Sequence, residues 1–264
     1  MKKYKLTSET TGCDGFILYR IEALMDFSDV KTGDKGGFVQ SENNLSQLGN
    51  AWVYGNAKVC GKAEVRGDAN VCGNAVVCGD ASVYGNAKVF DYAKVYNNAE
   101  VYDNAEVYDN ASVYGNAVVY GRAKVYGNAK VRGDAKVYKN SDYIVFKNWW
   151  SSGRFFTWTR SNNMWKVGCF YGNGEELIKK AYADSEESGR EYERVVRYVE
   201  SILADELNKK TNKMEVEITS YIEDTDILQS VSEYQQSKVL ENIFEECTEE
   251  HNRDLSAILM ILTS

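Results

Sequence analysis

The sequence predicts a mainly β fold of stacked parallel coils, and three observations carry that prediction. Fifteen six-residue repeats of the form Gly/Asp/Asn-x-Ala-x-Val-x run without insertion from Gly49 to Tyr138. Ala fills the third repeat position from Ala51 to Ala135, and Val fills the fifth from Val53 to Val137. The pairs that open repeats, such as Gly55-Asn56, Gly73-Asn74 and Gly115-Asn116, are residue types that accept positive φ in a tight corner. Repetition at a short fixed period specifies a stack in which each coil buries its neighbour's apolar face.

Within a repeat, Ala and Val stand two apart, so an extended segment points both the same way and the residue after each the other way. Six residues make one short strand and one corner. Three sides close a triangular coil of eighteen residues, and the block holds five coils. At roughly 4.8 Å between stacked strands, the prism is about 24 Å long. An interior of Ala and Val suits a narrow, dry, closely packed core. The two ends of the stack are open edges that need covers. The chain therefore divides into a β cap and lead-in at 1–48, the repeat block at 49–140, and an α+β domain at 141–264.

The spacing Val-Tyr-Gly-Asn-Ala-x resembles the hexapeptide repeat of left-handed parallel β-helix proteins. The lead-in resembles the first segments of uncharacterised bacterial and prophage members of that family. It runs through Arg20-Ile21-Glu22-Ala23-Leu24, Asp26-Phe27-Ser28-Asp29-Val30-Lys31, Gly36-Gly37-Phe38-Val39 and Asn44-Leu45-Ser46 to Gly49-Asn50-Ala51. The resemblance covers about residues 18–138. It implies a left-handed coil, where generic crossover connections are right-handed, and it implies homotrimers.

Many hexapeptide proteins are acyltransferases that use a coil His as general base, and a carbonic-anhydrase branch holds a metal with three His. This coil contains no His between Gly49 and Tyr138. A carboxylate can replace the base only with a raised pKa and a positioned acceptor, and the repeat marks no such site. The expectation is a protein that is not an enzyme, with no catalytic residues, no cofactor and no metal. Gly-free corners fall at Asp91, Asn97, Asp103 and Asp109. Asp91 and Asp109 stack on one corner, where two carboxylates can share a hard cation. The simpler reading is that Asp and Asn tolerate corner conformations nearly as Gly does.

The outward residues sort into columns. Tyr84, Tyr102, Tyr120 and Tyr138 follow Arg66 in one; Cys60, Cys78, Tyr96, Tyr114 and Arg132 form another. Stacked aromatics stabilise a coil internally. A column of four also exceeds the largest apolar patch a monomer usually exposes, about 300–600 Å², so Tyr84, Tyr102, Tyr120 and Tyr138 form the candidate oligomer face. Beside the second column stand Lys58, Lys94 and Lys130, separated by Val76 and Ser112. The alternation avoids like-charge neighbours. The same face, with Tyr96 and Tyr114, is also suited to an anion or a base ring.

After Tyr138, residues 143–148, 154–160 and 164–171 read as a three-stranded meander with turns at Ser152-Gly153 and Asn162-Asn163. On the second strand, Arg154, Phe156, Trp158 and Arg160 share a side, an arrangement suited to stacking a base and neutralising a phosphate. The alternative is a Trp-rich core with arginines at its rim. Gly172-Asn173-Gly174-Glu175-Glu176 opens a helix to about Ala183, and a longer helix runs from about Glu187 to Leu207. Alternation of Met214, Val216 and Ile218 suggests a further strand, and two helices around Val239–Cys247 and Leu255–Leu262 close the chain.

The six cysteines form no CxxC pair, and the single His, His251, reads as a surface residue beside Glu249 and Glu250. All six are expected as free thiols. Cys60 and Cys78 fall one coil apart, but parallel side chains in one register do not easily reach disulfide torsions. Residues 175–264 hold 10 Lys/Arg against 22 Asp/Glu, a balance of −12, which disfavours duplex nucleic acid as partner. The chain has no apolar run of membrane-spanning length and no apolar signal stretch at its start, so a cytoplasmic protein is expected. Together these give the expectation of a binding protein, and the resemblance implies that it is phage- or prophage-associated. It presents Lys58, Lys94, Lys130, Tyr96, Tyr114 and the Arg154–Arg160 strand to a host protein or a small anionic, nucleotide-like ligand, inhibiting host defence. An acyltransferase-like enzyme and a structural spacer or virion module are the alternatives.

Overall fold

The computed structural model describes residues 2–150 and 152–224, with 215–224 as backbone alone. It is mainly β. Strands β1 (Tyr4–Cys13), β2 (Phe16–Ala23) and β3 (Lys35–Val39) precede fifteen short strands, one per repeat, from β4 (Trp52–Val53) to β18 (Lys136–Val137). A second sheet follows with β19 (Tyr143–Lys147), β20 (Phe155–Thr159), β21 (Met164–Val167) and β22 (Phe170–Gly172), then helices α1 (Gly174–Asp184) and α2 (Glu186–Asp224).

The repeat block is a β-solenoid with three parallel sheets, each taking every third strand. Its register advances by one coil at each step: Lys58 pairs with Val76, Lys94 with Ser112, and Ser112 with Lys130. The Ala and Val of all fifteen repeats are buried, none more than 1% exposed. All fifteen corners carry positive φ, including Asp91, Asn97, Asp103 and Asp109 at 56–61°. Those Asp carboxylates point along the stack. Asp103 Oδ2 accepts from the Gly121 amide at 3.1 Å and Asp109 Oδ2 from the Gly127 amide at 3.0 Å. The corner reading accounts for them without a cation.

Each coil donates its amides toward the C-terminal end: Lys58 N to Ala75 O, Lys94 N to Ala111 O, Tyr120 N to Val137 O. The N-terminal edge is therefore a rim of carbonyls and the C-terminal edge a rim of amides. The covers match. At the carbonyl rim, Lys3 Nζ donates to Gly49 O and Ala51 O, and Asn44 Nδ2 to Gly61 O and Ala63 O. At the amide rim the groups are acceptors. Lys124 N meets Asn140 Oδ1, Lys130 N meets Thr157 Oγ1, Lys136 N meets Ser161 Oγ, and Tyr138 N meets Asp142 Oδ2.

The meander has four strands, not three. The third segment turns back at Gly168-Cys169, where Val167 pairs with Phe170 and Gly168 has φ 54°, as a two-residue turn with Gly first requires. Helix α1 begins with a reciprocal cap: Asn173 Oδ1 accepts from Glu176 N, and Glu176 Oε2 accepts from Asn173 N. The strand expected at Met214–Ile218 is absent, because α2 continues through it to Asp224. The last two expected helices, Cys247 and His251 lie outside the described residues. The chain divides into compact units at 1–193 and from 194 onward. Among the described residues no helix is long and apolar enough to cross a membrane.

Removing a rim cover leaves buried backbone groups unpaired, a cost of about 1–3 kcal/mol. Asn44→Ala and Asp142→Ala should each lower unfolding stability by that much in urea titration, while Asp142→Asn, which keeps an acceptor oxygen, should lose less. Burial lowers the Lys3 pKa from 10.5 to about 8 in the folded chain. Between those values the unfolded chain binds more protons, so Lys3 makes stability rise with pH. The stability of the wild type relative to Lys3→Met should therefore increase from pH 8 toward pH 10.5, with groups common to both cancelling.

Candidate functional site

The outward columns form ring ladders. Tyr84 and Tyr102 stack at 4.8 Å between centroids, Tyr102 and Tyr120 at 5.4 Å, and Tyr138 adjoins Tyr120 tilted by 46°. The Arg66 guanidinium lies 4.3 Å over Tyr84 and closes one end. Tyr96 stacks on Tyr114 at 4.8 Å, and Arg132 lies 5.5 Å over Tyr114. Offset pairs of this kind contribute about 0.5–1.5 kcal/mol beyond burial. Much of each ring's surface is thus spent inside its own column, although Tyr138 remains 56% exposed.

The first face of the solenoid, built on β3 and the strands that begin at Lys58, Val76, Lys94, Ser112 and Lys130, is covered at both ends. The β1–β2 hairpin extends its sheet antiparallel, and Lys58 Nζ donates to Gly12 O at 2.8 Å near the hairpin tip. The sheet β19–β22 covers the other end. Alternation decides which of its residues face the coil. Thr157, Lys166 and Tyr171 are cross-strand neighbours on one side. Thr157 accepts from Lys130 N, and Tyr171 OH donates to Arg132 O at 3.2 Å.

The opposite side holds Phe156 and Trp158, 0% and 1% exposed. Phe156 packs edge-on against Tyr192 at 4.7 Å, and Trp158 Nε1 donates to Asn163 Oδ1. Both rings are core, so neither is available to stack a ligand. The two arginines sit at its ends: Arg160 lies 5.7 Å over the Trp158 ring, and Arg154 is exposed beside Gly168. Arg154 lines a pocket of about 370 Å³ with Lys180, but Asp184 lies in the same wall. A second, open pocket of about 550 Å³ lies over Tyr54, Cys72 and Lys88, with Asp29 at its edge.

The lysine column divides. Lys58 is taken up by the hairpin, whereas Lys94 and Lys130 are exposed. Tyr96 is half-buried and Tyr114 only 9% exposed, its phenol pushed up to about 12 by desolvation. At this end Lys130, Arg132 and Lys166 converge. Lys166 is 8% exposed, and its pKa is lowered by burial and then by the charges of Arg132 and Lys130. Among the described residues none of the three forms an ion pair. Arg132 instead lies over Tyr114 and, at 4.8 Å, over Tyr171. Three cations crowded without a counter-ion, one of them desolvated, form an electrostatic setting for an anion.

Sequence reading found Lys94, Lys130, Tyr96 and Tyr114 but not Lys166, Tyr171 or Thr157. A single strand over 164–171 sets Tyr171 on the side of Trp165 and Val167, and only the turn at Gly168-Cys169 brings it beside Lys166. That this side docks on the last coil was not visible in the sequence.

No family model matches the chain. Among curated proteins it is similar to the uncharacterized acetyltransferase YdcK of Escherichia coli (strain K12), at 39% identity over 62 residues. That match covers 20% of this chain and 19% of the relative, so the chain spans about a fifth of the length of the curated relative it matches. The expectation that this protein is not an enzyme, drawn from a His-free coil, is corrected by this relative, which points, over a short stretch, toward an enzyme. Acyl transfer requires a positioned base but does not restrict that base to histidine.

Relieving the cation crowding should separate stability from function. Lys130→Gln should leave the melting temperature unchanged or raised, because like-charge repulsion on Lys166 is removed. A marked fall in melting temperature would show that the three cations are balanced within the fold.

Proposed function

We propose that this protein is an acyltransferase-class β-solenoid that takes a small phosphate-bearing, nucleotide-like acyl donor, such as an acyl-coenzyme A thioester, on its first face. The observation that carries the reading is the convergence of Lys130, Arg132 and Lys166 without an acidic partner among the described residues. In this reading these cations receive the phosphates, with Lys94 adding charge along the column. Tyr96 and Tyr114, already stacked, border a surface over which a base ring can lie. The acetyltransferase name of the relative supports the acyl group. The coil offers no histidine, so the base in this reading is a carboxylate or belongs to the acceptor.

The left-handed sense of the coil follows the hexapeptide-repeat resemblance, as does assembly into a homotrimer, with Tyr84, Tyr102, Tyr120 and Tyr138 at the subunit contact. Replacing Tyr84, Tyr102 and Tyr120 with Ser should dissociate the oligomer in light scattering while circular dichroism stays β-rich. A wild type that is monomeric at micromolar concentration would remove the contact.

Saturable thermal stabilisation by coenzyme A or acetyl-coenzyme A is the expected signature. Charge-assisted contacts are worth about 1.5–3 kcal/mol each, so Lys130→Ala with Lys166→Ala should weaken binding tenfold or more. Release of free coenzyme A thiol in the presence of amine or hydroxyl acceptors would register the transfer itself. Absence of stabilisation by coenzyme A compounds and by free nucleotides alike would refute the reading.

A further inference from the structure

At the other end of the first face, three cysteines far apart in sequence come together. Cys60 and Cys78 occupy one outward column, one coil apart, each directly after a valine of two strands paired in register, Val59 with Val77. Cys13 is brought to them by the β1–β2 hairpin. Its turn, Asp14-Gly15, has φ 48° and 82° at the two central residues, the geometry for which Asp-Gly is suited. Cys13 Sγ lies within 4.8 Å of Cys60 Sγ.

Asp14 completes the group. One ligand atom each from Cys13, Asp14 and Cys60 lie within 4.8 Å of one another, and Cys78 Sγ stands 3.7 Å from Asp14 Oδ2. We propose that Cys13, Cys60, Cys78 and Asp14 form a tetrahedral site for a thiophilic divalent cation, zinc in the first instance.

Zinc sits about 2.3 Å from a thiolate sulfur and about 2.0–2.2 Å from a carboxylate oxygen, so the edges of its tetrahedron are roughly 3.8 Å or less. The ligand atoms of Cys13, Asp14 and Cys60, within 4.8 Å of one another, lie within about 1 Å of such an edge, and the 3.7 Å between Cys78 Sγ and Asp14 Oδ2 matches one. Three sulfurs with one oxygen select zinc over magnesium or calcium, which take oxygen ligands. The surroundings suit the charge. Leu18 and Phe38 pack around Cys60 and exclude water, while Lys58 acts electrostatically on Cys13 and Lys94 on Cys78, offsetting the excess negative charge of three thiolates and a carboxylate. Lys58 also holds the hairpin tip through Gly12 O. The metal would tie the hairpin to the first and second coils of the repeat block, a structural role with all four ligands from the protein.

Reduced full-length protein titrated with cobalt(II) under anaerobic conditions tests the site. One cobalt per chain is expected, with an intense thiolate-to-cobalt charge-transfer band and tetrahedral d–d bands that zinc bleaches. Cys72→Ser, Cys169→Ser and Cys247→Ser combined should retain the spectrum. Cys13→Ser and Cys78→Ser, which alter only half-buried positions, should lose the charge-transfer intensity while circular dichroism stays β-rich, and Asp14→Asn should weaken cobalt tenfold or more. Zinc should raise the melting temperature of the wild type but not of Cys13→Ser. A reduced wild type without the band, or a band that survives Cys13→Ser and Cys78→Ser, would overturn the site. So would a chain whose thiol count shows a disulfide among these cysteines and which, once reduced, takes up no cobalt.

Discussion

Backbone pairing between coils is the constraint on which the rest of this structure depends. At alternate positions of the repeat block the amide donates to a carbonyl one coil further on, so the stack has a direction, with carbonyls at one rim and amides at the other. Unpaired backbone groups buried at an edge are costly, and the non-repeating segments meet the cost with opposite chemistry. Lys3 and Asn44 supply donors at the first rim; Asn140, Thr157, Ser161 and Asp142 supply acceptors at the last. Neither cover could be exchanged for the other.

The same pairing confines variation to the outside. With strands held in one register, the inward positions admit only Ala and Val, and every corner must take positive φ. Outward side chains then stand directly above one another, and their neighbours decide what each is free to do. Rings stack, Asn98 donates to Asn116 and Asn116 to Asp134, and Asp corners accept the next coil's amide. Such ladders use up much of the polar and aromatic surface that the repeat offers.

Chemistry that is not consumed by the ladders gathers where irregular segments fold back onto the first face. The hairpin tip brings Cys13 and Asp14 to Cys60 and Cys78. The four-stranded sheet brings Lys166 and Tyr171 to Lys130 and Arg132. Both places combine a column set by the repeat with residues that the repeat does not contain. The repeat alone, without histidine, had pointed away from catalysis. The likeness to an acetyltransferase, over a short stretch, points toward it, and in the proposed reading the cation cluster is where a phosphate-bearing donor is held.

The solenoid is legible in the repeat: its period, its Ala/Val interior, its fifteen positive-φ corners and the columns of outward residues, because a six-residue repeat leaves the backbone no second register that buries the same atoms. The sequence also placed the start of α1 at Gly172–Glu176, where the structure shows the Asn173–Glu176 cap. Tertiary structure decided the rest. Arg154, Phe156, Trp158 and Arg160 share a side in any extended reading, but only the docking of that sheet shows the side to be core. A meander with alternating residues has two candidate inner faces, and the packing of Thr157 onto the last coil makes the choice. Cys13 and Cys60 are 47 residues apart, and no local pattern joins them. Their meeting depends on the direction in which a two-residue turn sends the hairpin across the face.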